Sequence, residues 1–177
     1  MRIVRTNVRI FGNNDVSNFI QKKLKSISIN DKRSFATSFY DDYEDSKSWY
    51  FNNVGSNNVY LSKKILLTEF ILESEECVPD EFVKKIYKEL VEIDEFVEIE
   101  VIHSSTSHDS FGAMVLKNKK ISQKQVYGLD VPQSEKYENL EEYNLNLQMF
   151  IEDVSNKHKE YLKICHENHE EYEYEWV

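Results

Sequence analysis

The sequence predicts an α+β fold on the split βαβ plan, a two-layer sandwich with an inserted aromatic loop and a long C-terminal helix. The first observation is the order of the periodic segments, which runs strand, helix, aromatic loop, strand, helix, strand, strand. The second is composition, because 40% of the 177 residues are hydrophobic and 13% are aromatic, enough for a core without metal or disulfide bonds. The third is a pair of breakers, Gly128 and Pro132, which divide an α+β domain at residues 1–127 from an acidic helical extension at residues 128–177.

A strand and a helix open the chain. Residues 1–11 alternate with period two, which predicts a strand with one face formed by Val4, Thr6, Val8 and Ile10. Gly12 and the two asparagines after it predict a turn, and Asp15 is placed to cap the backbone amides that follow. Apolar residues then recur at helical spacing, which predicts a helix over residues 15–26.

The next segment is rich in aromatic residues. Residues 28–62 contain many Asp, Asn and Ser residues with aromatics between them, Trp49 and Tyr50 included, and this mixture predicts short strands or a packed loop. Residues 65–72 are mostly apolar and bounded by charge, which is typical of a strand buried on both faces.

A second helix and two further strands complete the predicted domain. Pro79 stands at a first helical position, and the acidic residues after it suit the positive end of the helix dipole. Residues 96–103 alternate in polarity and residues 111–116 provide a partner strand, so that residues 104–110 connect the two.

A long helix closes the chain. Its apolar positions recur mostly at three and four over residues 140–169, namely Leu140, Tyr143, Leu147, Phe150 or Ile151, Val154, Tyr161 and Cys165. At 1.5 Å per residue such a helix is roughly 45 Å long, longer than a small domain is wide. We expect it to pack along its own sheet, with projection or pairing with another chain as the alternative.

The negative charge of the chain is concentrated near its C-terminus. The formal net charge is -10, and residues 134–177 hold 12 acidic residues and 4 lysines, a net of -8, against -2 for residues 1–133. A surface of this sign repels phosphate backbones, since sequence-independent nucleic-acid affinity comes from Lys and Arg that displace counterions. Direct binding of DNA or RNA is therefore not expected, and a basic protein surface is the expected partner.

Cysteine usage and hydropathy indicate the compartment. Cys77 and Cys165 lie far apart without metal-ligand spacing, which predicts reduced thiols in the cytoplasm. Residues 1–10 alternate charged and apolar residues and no run of about 18 apolar residues occurs, so neither a signal peptide nor membrane association is expected. Only four glycines occur and none forms a phosphate-binding loop, so no cofactor is expected.

Residues 1–121 resemble a known family in the order and spacing of their motifs. The motifs are an opening strand, a tryptophan before a central run, a strand, a proline-started helix and a Phe-Gly hairpin, carried here by residues 7–12, Trp49, residues 53–59, residues 67–72, Pro79 and Phe111-Gly112. In these features the chain resembles the Api-like ferredoxin-like domain family of bacteriophages and mobile elements, although Val54 and Asn58 or Val59 replace two tryptophans of the central run. The resemblance implies a ferredoxin-like fold and a phage or mobile-element origin, and it transfers no catalytic site.

Two segments contain catalytic or metal-binding residue types. Residues 103–109, His-Ser-Ser-Thr-Ser-His-Asp, hold every residue type of a serine-hydrolase triad, yet they fall together in a predicted connection where Ser and Asp are turn formers. The metal-ligand types near the C-terminus are His158, Cys165, His166, His169 and Glu170. Because the two histidines at positions 166 and 169 are one residue short of the zinc-protease spacing, neither a metal site nor an enzyme is predicted.

The C-terminal segment alternates carboxylate with aromatic residues, which predicts either a solvated tail or a binding tail. The expected partner-binding residues are Glu167, Glu170, Glu171, Tyr172, Glu173, Tyr174, Glu175 and Trp176, together with Trp49 and Tyr50. The predicted function is binding to a host protein with a basic surface, as a phage-encoded or mobile-element inhibitor of a nucleic-acid enzyme or defence complex. Two alternatives stay open, a small-molecule or nucleotide-binding domain or enzyme with a pocket near the aromatic loop, and an oligomeric structural protein joined through its C-terminal helix.

Overall fold

A six-stranded antiparallel sheet forms the centre of the structure, a computed structural model that describes residues 2–168. The strands are β1 (Ile3–Phe11), β2 (Asn57–Leu66), β3 (Glu69–Glu75), β4 (Glu98–Ser105), β5 (Ser110–Lys117) and β6 (Lys120–Tyr127). The helices are α1 (Asn14–Lys25), α2 (Lys32–Phe39), α3 (Lys47–Val54), α4 (Asp80–Val91) and α5 (Leu140–Glu167), and a 3-10 turn spans Ser134–Lys136.

The strand order of the sheet is β2-β3-β1-β4-β5-β6. Within the first four strands, β3 lies between the parallel strands β1 and β2, and β1 lies between the parallel strands β3 and β4. The chain crosses from β1 to β2 through α1–α3 and from β3 to β4 through α4, so both crossovers are split βαβ units. The predicted ferredoxin-like α+β sandwich is confirmed, and the β5–β6 hairpin extends its sheet beyond β4.

The main core lies between the sheet and the helices α1–α4. The alternation predicted for β1 is confirmed, because Val4, Thr6, Val8 and Ile10 are all buried on the face that carries these helices. Helix α1 begins one residue earlier than predicted, since Asn13 caps it by accepting hydrogen bonds from two backbone amides. Helix α4 begins directly after Pro79, which is the N-cap residue, one position before the first helical position predicted for it, and the helix buries an apolar stripe.

Two short helices and the start of β2 replace the predicted strands or loop at residues 28–62. Asp31 caps α2 and Ser46 caps α3, each through its side-chain oxygen. The aromatic rings of this segment form two clusters in which neighbouring ring centroids lie 4.9–6.0 Å apart. One cluster joins Phe35 and Phe39 to Phe82 of α4, and the other contains Tyr40, Tyr43, Trp49 and Tyr50. The prediction is wrong for residues 32–39 and 47–54, because eight-residue helices have few turns in which a period can be seen, whereas the strand at residues 57–62 agrees with the predicted short strands.

The apolar run at residues 65–72 is not one buried strand. It divides into the end of β2, a tight turn and the first half of β3. Leu66 and Leu67 are 66% and 65% exposed at the tip of this hairpin, whereas Phe70 and Leu72 are buried. The prediction of a strand buried on both faces is wrong, because a continuous apolar run does not reveal a turn inside it.

The predicted strands at residues 96–103 and 111–116 are confirmed as β4 and β5, and a further strand follows them. Asn118 and Lys119 have φ values of 51° and 59°, the left-handed conformations of a type I′ hairpin turn, and they lead into β6. Ser122 is the one residue of β6 that is fully buried. The sequence does not predict β6 because a polar edge strand lacks the apolar alternation that identifies strands.

The long C-terminal helix is confirmed as α5, which begins after the cap residue Asn139 and ends at Glu167. Residue 169, the predicted end of the helix, lies outside the described residues. The helix packs on the sheet face opposite α1–α4, against β4, β5 and β6. The expected packing of this helix along its own sheet is therefore confirmed.

Candidate partner-binding surface

The C-terminal half of α5 fixes the helix to the sheet through its inner face. His158 Nε2 lies 3.0 Å from the carbonyl oxygen of His103, and the His158 and Tyr161 rings each lie 5.1 Å from the ring of Phe111. One turn further on, Cys165 is buried and its thiol lies 3.6 Å from a carbonyl oxygen of β5. Burial also raises the pKa of this thiol, so Cys165 acts as a small apolar side chain in the contact.

Four side chains form a clasp at the last turn of α5, namely Glu98, Glu100, Lys117 and His166. His166 Nε2 lies 2.8 Å from Glu100 and 3.5 Å from Glu98. Lys117 Nζ lies 3.0 Å from His166 Nδ1. Because a lysine ammonium can only donate, Nδ1 is the acceptor and Nε2 carries the proton that is donated to Glu100. The clasp ties the end of the helix to two neighbouring strands.

The clasp also contains the candidate metal ligands of the described chain. Glu98, Glu100 and His166 offer ligand atoms that all lie within 4.8 Å of one another. A cation bound at Nε2 would require the imidazole proton to move to Nδ1, where it would face the Lys117 ammonium. The geometry therefore favours a hydrogen-bonded clasp over a metal centre. Of the metal-ligand types noted near the C-terminus, His166 is the one that the clasp uses.

The outer face of α5 changes character along the helix. In the C-terminal half it is exposed and polar, with Asn156, Glu160, Lys163 and Glu167. In the N-terminal half the same stripe presents Leu145 and Met149, which lie four residues apart and are 59% and 60% exposed. Two large apolar side chains therefore face solvent on a surface that the rest of the helix keeps polar.

The first turns of α5 extend past the strands that support its other half. Leu140 and Ile151 are 69% and 39% exposed, although both belong to the stripe that faces the sheet further along the helix. The 28 residues of α5 span roughly 42 Å, whereas the eight-residue strands beneath it span roughly 27 Å. The N-terminal half of α5 is thus presented to solvent on several sides.

Carboxylates are frequent in this exposed half of α5 and in the segment that precedes it. Residues 134–153 contain six carboxylates and one lysine, a formal net charge of -5. Within residues 2–168, Asp153 pairs with Lys157 at 2.6 Å, while no ion pair involves the five glutamates of the segment, Glu135, Glu138, Glu141, Glu142 and Glu152. We call these five glutamates the acidic patch.

Helix stability explains only part of the acidic patch. Glu141 and Glu142 lie in the first turn of α5, where a negative charge is favourable near the positive end of the helix dipole. Glu152 lies in the middle of the helix, where it accepts a hydrogen bond from Gln148 and gains nothing from the dipole. The charge at Glu152 therefore lacks a structural reason of this kind.

The contact residues predicted from the sequence lie in three different environments. Trp49 and Tyr50 are only 7% and 2% exposed, and the Tyr50 hydroxyl donates a hydrogen bond to the carbonyl oxygen of Lys32 at 3.0 Å. Little of either ring is available to a partner. Glu167 is exposed at the end of α5, 3.7 Å from Lys163. The remaining predicted contacts lie outside the described residues, namely Glu170, Glu171, Tyr172, Glu173, Tyr174, Glu175 and Trp176.

Leu145 and Met149 were not singled out in the sequence, although a signal for them is present. Both fall between the positions of the three-and-four stripe that begins at Leu140 and ends at Cys165. An apolar residue that does not belong to the core stripe of an amphipathic helix lies on its solvent side. Two such residues four positions apart therefore indicate an exposed apolar pair.

Residues 103–109 form the end of β4 and its turn into β5. Asp109 accepts hydrogen bonds from the hydroxyls of Ser105 at 2.5 Å and Ser107 at 3.0 Å. His103 lies on the core face of the sheet, 6% exposed, and burial lowers its pKa to about 4. Within the described chain no hydrogen bond joins its imidazole to these serines or to Asp109. The segment is a hydrogen-bonded turn, as its Ser and Asp content predicts.

An open concavity of about 440 Å³ lies between α4 and the segment that joins α2 to α3. Tyr40 and Asn53 line one side, and Lys84, Lys85 and Lys88 line the other together with acidic residues. Lys84 pairs with Asp80 and Glu81, and Lys85 pairs with Glu89. The concavity therefore combines one buried tyrosine with charged groups that partly neutralise one another within the protein.

Comparison of the chain with protein-family models, with curated proteins and with solved structures gave no match. Among residues 2–168, no helix combines the length and the apolar character that a membrane crossing requires.

Proposed function

We propose that the protein binds and inhibits a host protein, a nucleic-acid enzyme or a defence complex, by occupying a positively charged surface of that partner. The observation that carries the proposal is the exposed N-terminal half of α5, which carries two exposed apolar side chains, in a segment whose five glutamates form no ion pair within residues 2–168. The helix dipole accounts for Glu141 and Glu142, whereas it accounts neither for Glu152 nor for the exposure of Leu145 and Met149. Exposed apolar side chains lower solubility, and clustered carboxylates repel one another. A surface that keeps such unfavourable features is the expected form of a binding site.

Charge decides the kind of partner in this proposal. The acidic patch repels phosphate groups and attracts Lys and Arg side chains, and it raises the rate at which a basic partner is met. Nucleic-acid enzymes and defence complexes carry basic grooves for their own substrates, since those substrates are polyanions. An acidic helix placed in such a groove excludes the nucleic acid, and this competition is the proposed mechanism of inhibition.

The resemblance to the Api-like family supports the proposed origin. Small proteins encoded by phages and mobile elements act inside a host, and a protein that acts by binding fits that setting. The resemblance covers the ferredoxin-like part of the chain, whereas the acidic patch lies in the helical extension. The extension is therefore the part that we propose to determine the partner.

Affinity purification from host lysate tests the proposal. The wild-type protein should recover a nucleic-acid enzyme or a defence protein, and imaging of the complex should place α5 on a basic groove. A variant with all five glutamates of the acidic patch changed to Gln should lose that partner, because its electrostatic attraction is removed.

A matched variant controls for net charge alone. It removes the same number of exposed carboxylates far from α5 through the substitutions D41N, D42N, E44Q, E92Q and E95Q. This variant should keep the partner. Equal retention of the partner by both variants, or recovery of no such protein by the wild type, would contradict the proposal.

The concavity beside Tyr40 supports a second candidate function, the binding of a small molecule. It lies next to the aromatic segment of residues 28–62, and its lining combines the Tyr40 side chain with polar and charged groups that can orient a small ligand. Native mass spectrometry of the protein purified from host cells tests this function. A retained metabolite that is lost in the variant Y40A would favour it over partner binding.

A further inference from the structure

We infer that Leu145 and Met149 are the anchors of the partner contact and enter an apolar groove whose rim carries Lys or Arg. This inference rests on the proposed function and assigns it a site. The two side chains lie four residues apart on one face of α5, the spacing with which helices place anchors into grooves. Both are more than half exposed, so neither contributes to the core.

The glutamates of the acidic patch define the chemistry of the groove. Continuing the Leu145–Met149 stripe by one step in each direction leads to Glu142 and Glu152, three residues before and three residues after the pair. Neither glutamate has an ion pair within the described chain. A partner that covers the apolar pair must therefore place positive groups at both ends of its groove, or it would bury charges without compensation.

A second copy of this chain is a poor occupant for the same reason. Two copies paired in parallel through this stripe would place Glu142 against Glu142 and Glu152 against Glu152. An antiparallel pair would place Glu142 against Glu152. Both arrangements bring like charges together at each end of the contact, which is destabilising. The charge pattern therefore selects a different, basic protein.

The methionine suits a groove of unspecified shape. Its unbranched thioether side chain adapts to irregular apolar surfaces, while the leucine offers a fixed branched shape. Aliphatic anchors of this kind bury enough apolar area to contribute strongly to affinity when a groove encloses them. The carboxylates then contribute mainly to the rate and selectivity of association.

A synthetic amphipathic helical peptide built from Leu and Lys provides a defined probe of this chemistry. Titration of the peptide into the ¹⁵N-labelled protein should shift the amide resonances of residues 141–152. The double variant L145Q/M149Q should weaken binding by about tenfold or more, because it removes both anchors. Glutamine keeps good helix propensity, and circular dichroism checks that α5 stays folded.

Matched controls distinguish specific anchoring from nonspecific hydrophobic binding. The double variant L66Q/L67Q removes two leucines with similar exposure at the β2–β3 hairpin and should change binding by less than about twofold. A peptide built from Leu and Glu should not bind. Shifts centred elsewhere, equal binding of both peptides, or full binding by L145Q/M149Q would overturn the inference, as would a dimer in light scattering that L145Q/M149Q dissociates.

The same variants distinguish this inference from the proposed function. If the host partner is retained by L145Q/M149Q and lost by the variant with the five glutamates changed to Gln, the proposed function stands and the anchor site is wrong. If L145Q/M149Q loses the host partner and L66Q/L67Q keeps it, the anchor site is supported in the biological complex. If neither α5 variant affects recovery, the proposed function fails as well.

Discussion

Acidification from pH 7.5 to pH 5 should destabilise the fold through His103. This imidazole is buried on the core face opposite Thr6 and Gly112, and burial lowers its pKa from an ordinary 6.5 to about 4. Between these two values the unfolded chain binds a proton that the folded chain excludes, so the free energy of unfolding falls as the pH falls. The stability is fully present above pH 6.5 and is lost progressively toward pH 4, and the loss from pH 7.5 to pH 5 is about 2 kcal/mol.

Urea denaturation followed by circular dichroism at pH 7.5, 6 and 5 measures this effect. The variant H103Q does not titrate in the window, so its free energy of unfolding should fall less with pH than that of the wild type. His158 packs against the backbone of His103, and burial lowers its pKa as well, so it adds a contribution of the same sign. The variant H158Q isolates that contribution.

Carboxylates set the lower limit of the pH range in which the contribution of His103 to stability can be measured. The pKa values of Glu69 and Glu73 are lowered, despite the opposing effect of burial, by hydrogen bonds from neighbours that include Arg9 and Arg5. The stability from such groups is present above their ordinary pKa of 4.5 and is lost below it, so it changes little between pH 7.5 and pH 5. Identical pH dependence in the wild type and in H103Q would refute the reasoning, because the titrating group would then lie elsewhere.

Three further predictions concern stability. The substitution G55A should lower the free energy of unfolding by more than about 1 kcal/mol, because Gly55 has a φ of +84° and an added methyl group would meet the Asp80 carboxylate. In thermal denaturation it should cost more than G128A, since the φ of Gly128 is +68° but nothing lies within 4 Å of an added methyl group, and equal costs would show that crowding is irrelevant. The substitution V154A should cost about 1–2 kcal/mol in urea denaturation, since Val154 is buried against the sheet, and a cost near zero would mean that α5 is not docked there. The substitution H166A should open the clasp, so that amide hydrogen exchange accelerates in the last two turns of α5 and not in α1, and unchanged exchange there would contradict the clasp.

Periodic segments of sufficient length are the part of the fold that could be predicted. The alternation in β1 and the three-and-four spacing in α5 persist over enough residues to identify each element and its buried face. The order of these elements along the chain indicated the split βαβ plan, which the sheet confirms.

Local signals failed where an element was short or its pattern was ambiguous. Helices α2 and α3 are eight residues each, and the caps Asp31 and Ser46 resemble loop residues when the helix behind them is brief. The run that contains Leu66 and Leu67 has the same apolar composition as a buried strand, although these two residues lie at an exposed hairpin tip. In each case tertiary context determines the outcome and the local sequence does not.

The candidate surface illustrates the same limit from the functional side. Charge counting locates the acidic extension correctly, because formal charge does not depend on the fold. Aromatic content does not reveal whether a ring is exposed, so Trp49 and Tyr50 appeared as contacts although both rings are buried. Leu145 and Met149 lie outside the apolar stripe of the sequence, and the packing of α5 on the sheet shows that both are exposed.

Photo-crosslinking from the outer face of α5 tests the central claim most directly. A photoreactive amino acid at Gln148, between the two proposed anchors, should form an adduct in host lysate with a protein whose crosslinked surface is basic. The adduct should weaken at about 0.5 M salt, where electrostatic attraction is screened within a few ångströms. The same group at Gln123, exposed on β6, should not capture this protein. Equal capture from both positions, or an adduct with nucleic acid in place of protein, would contradict the account.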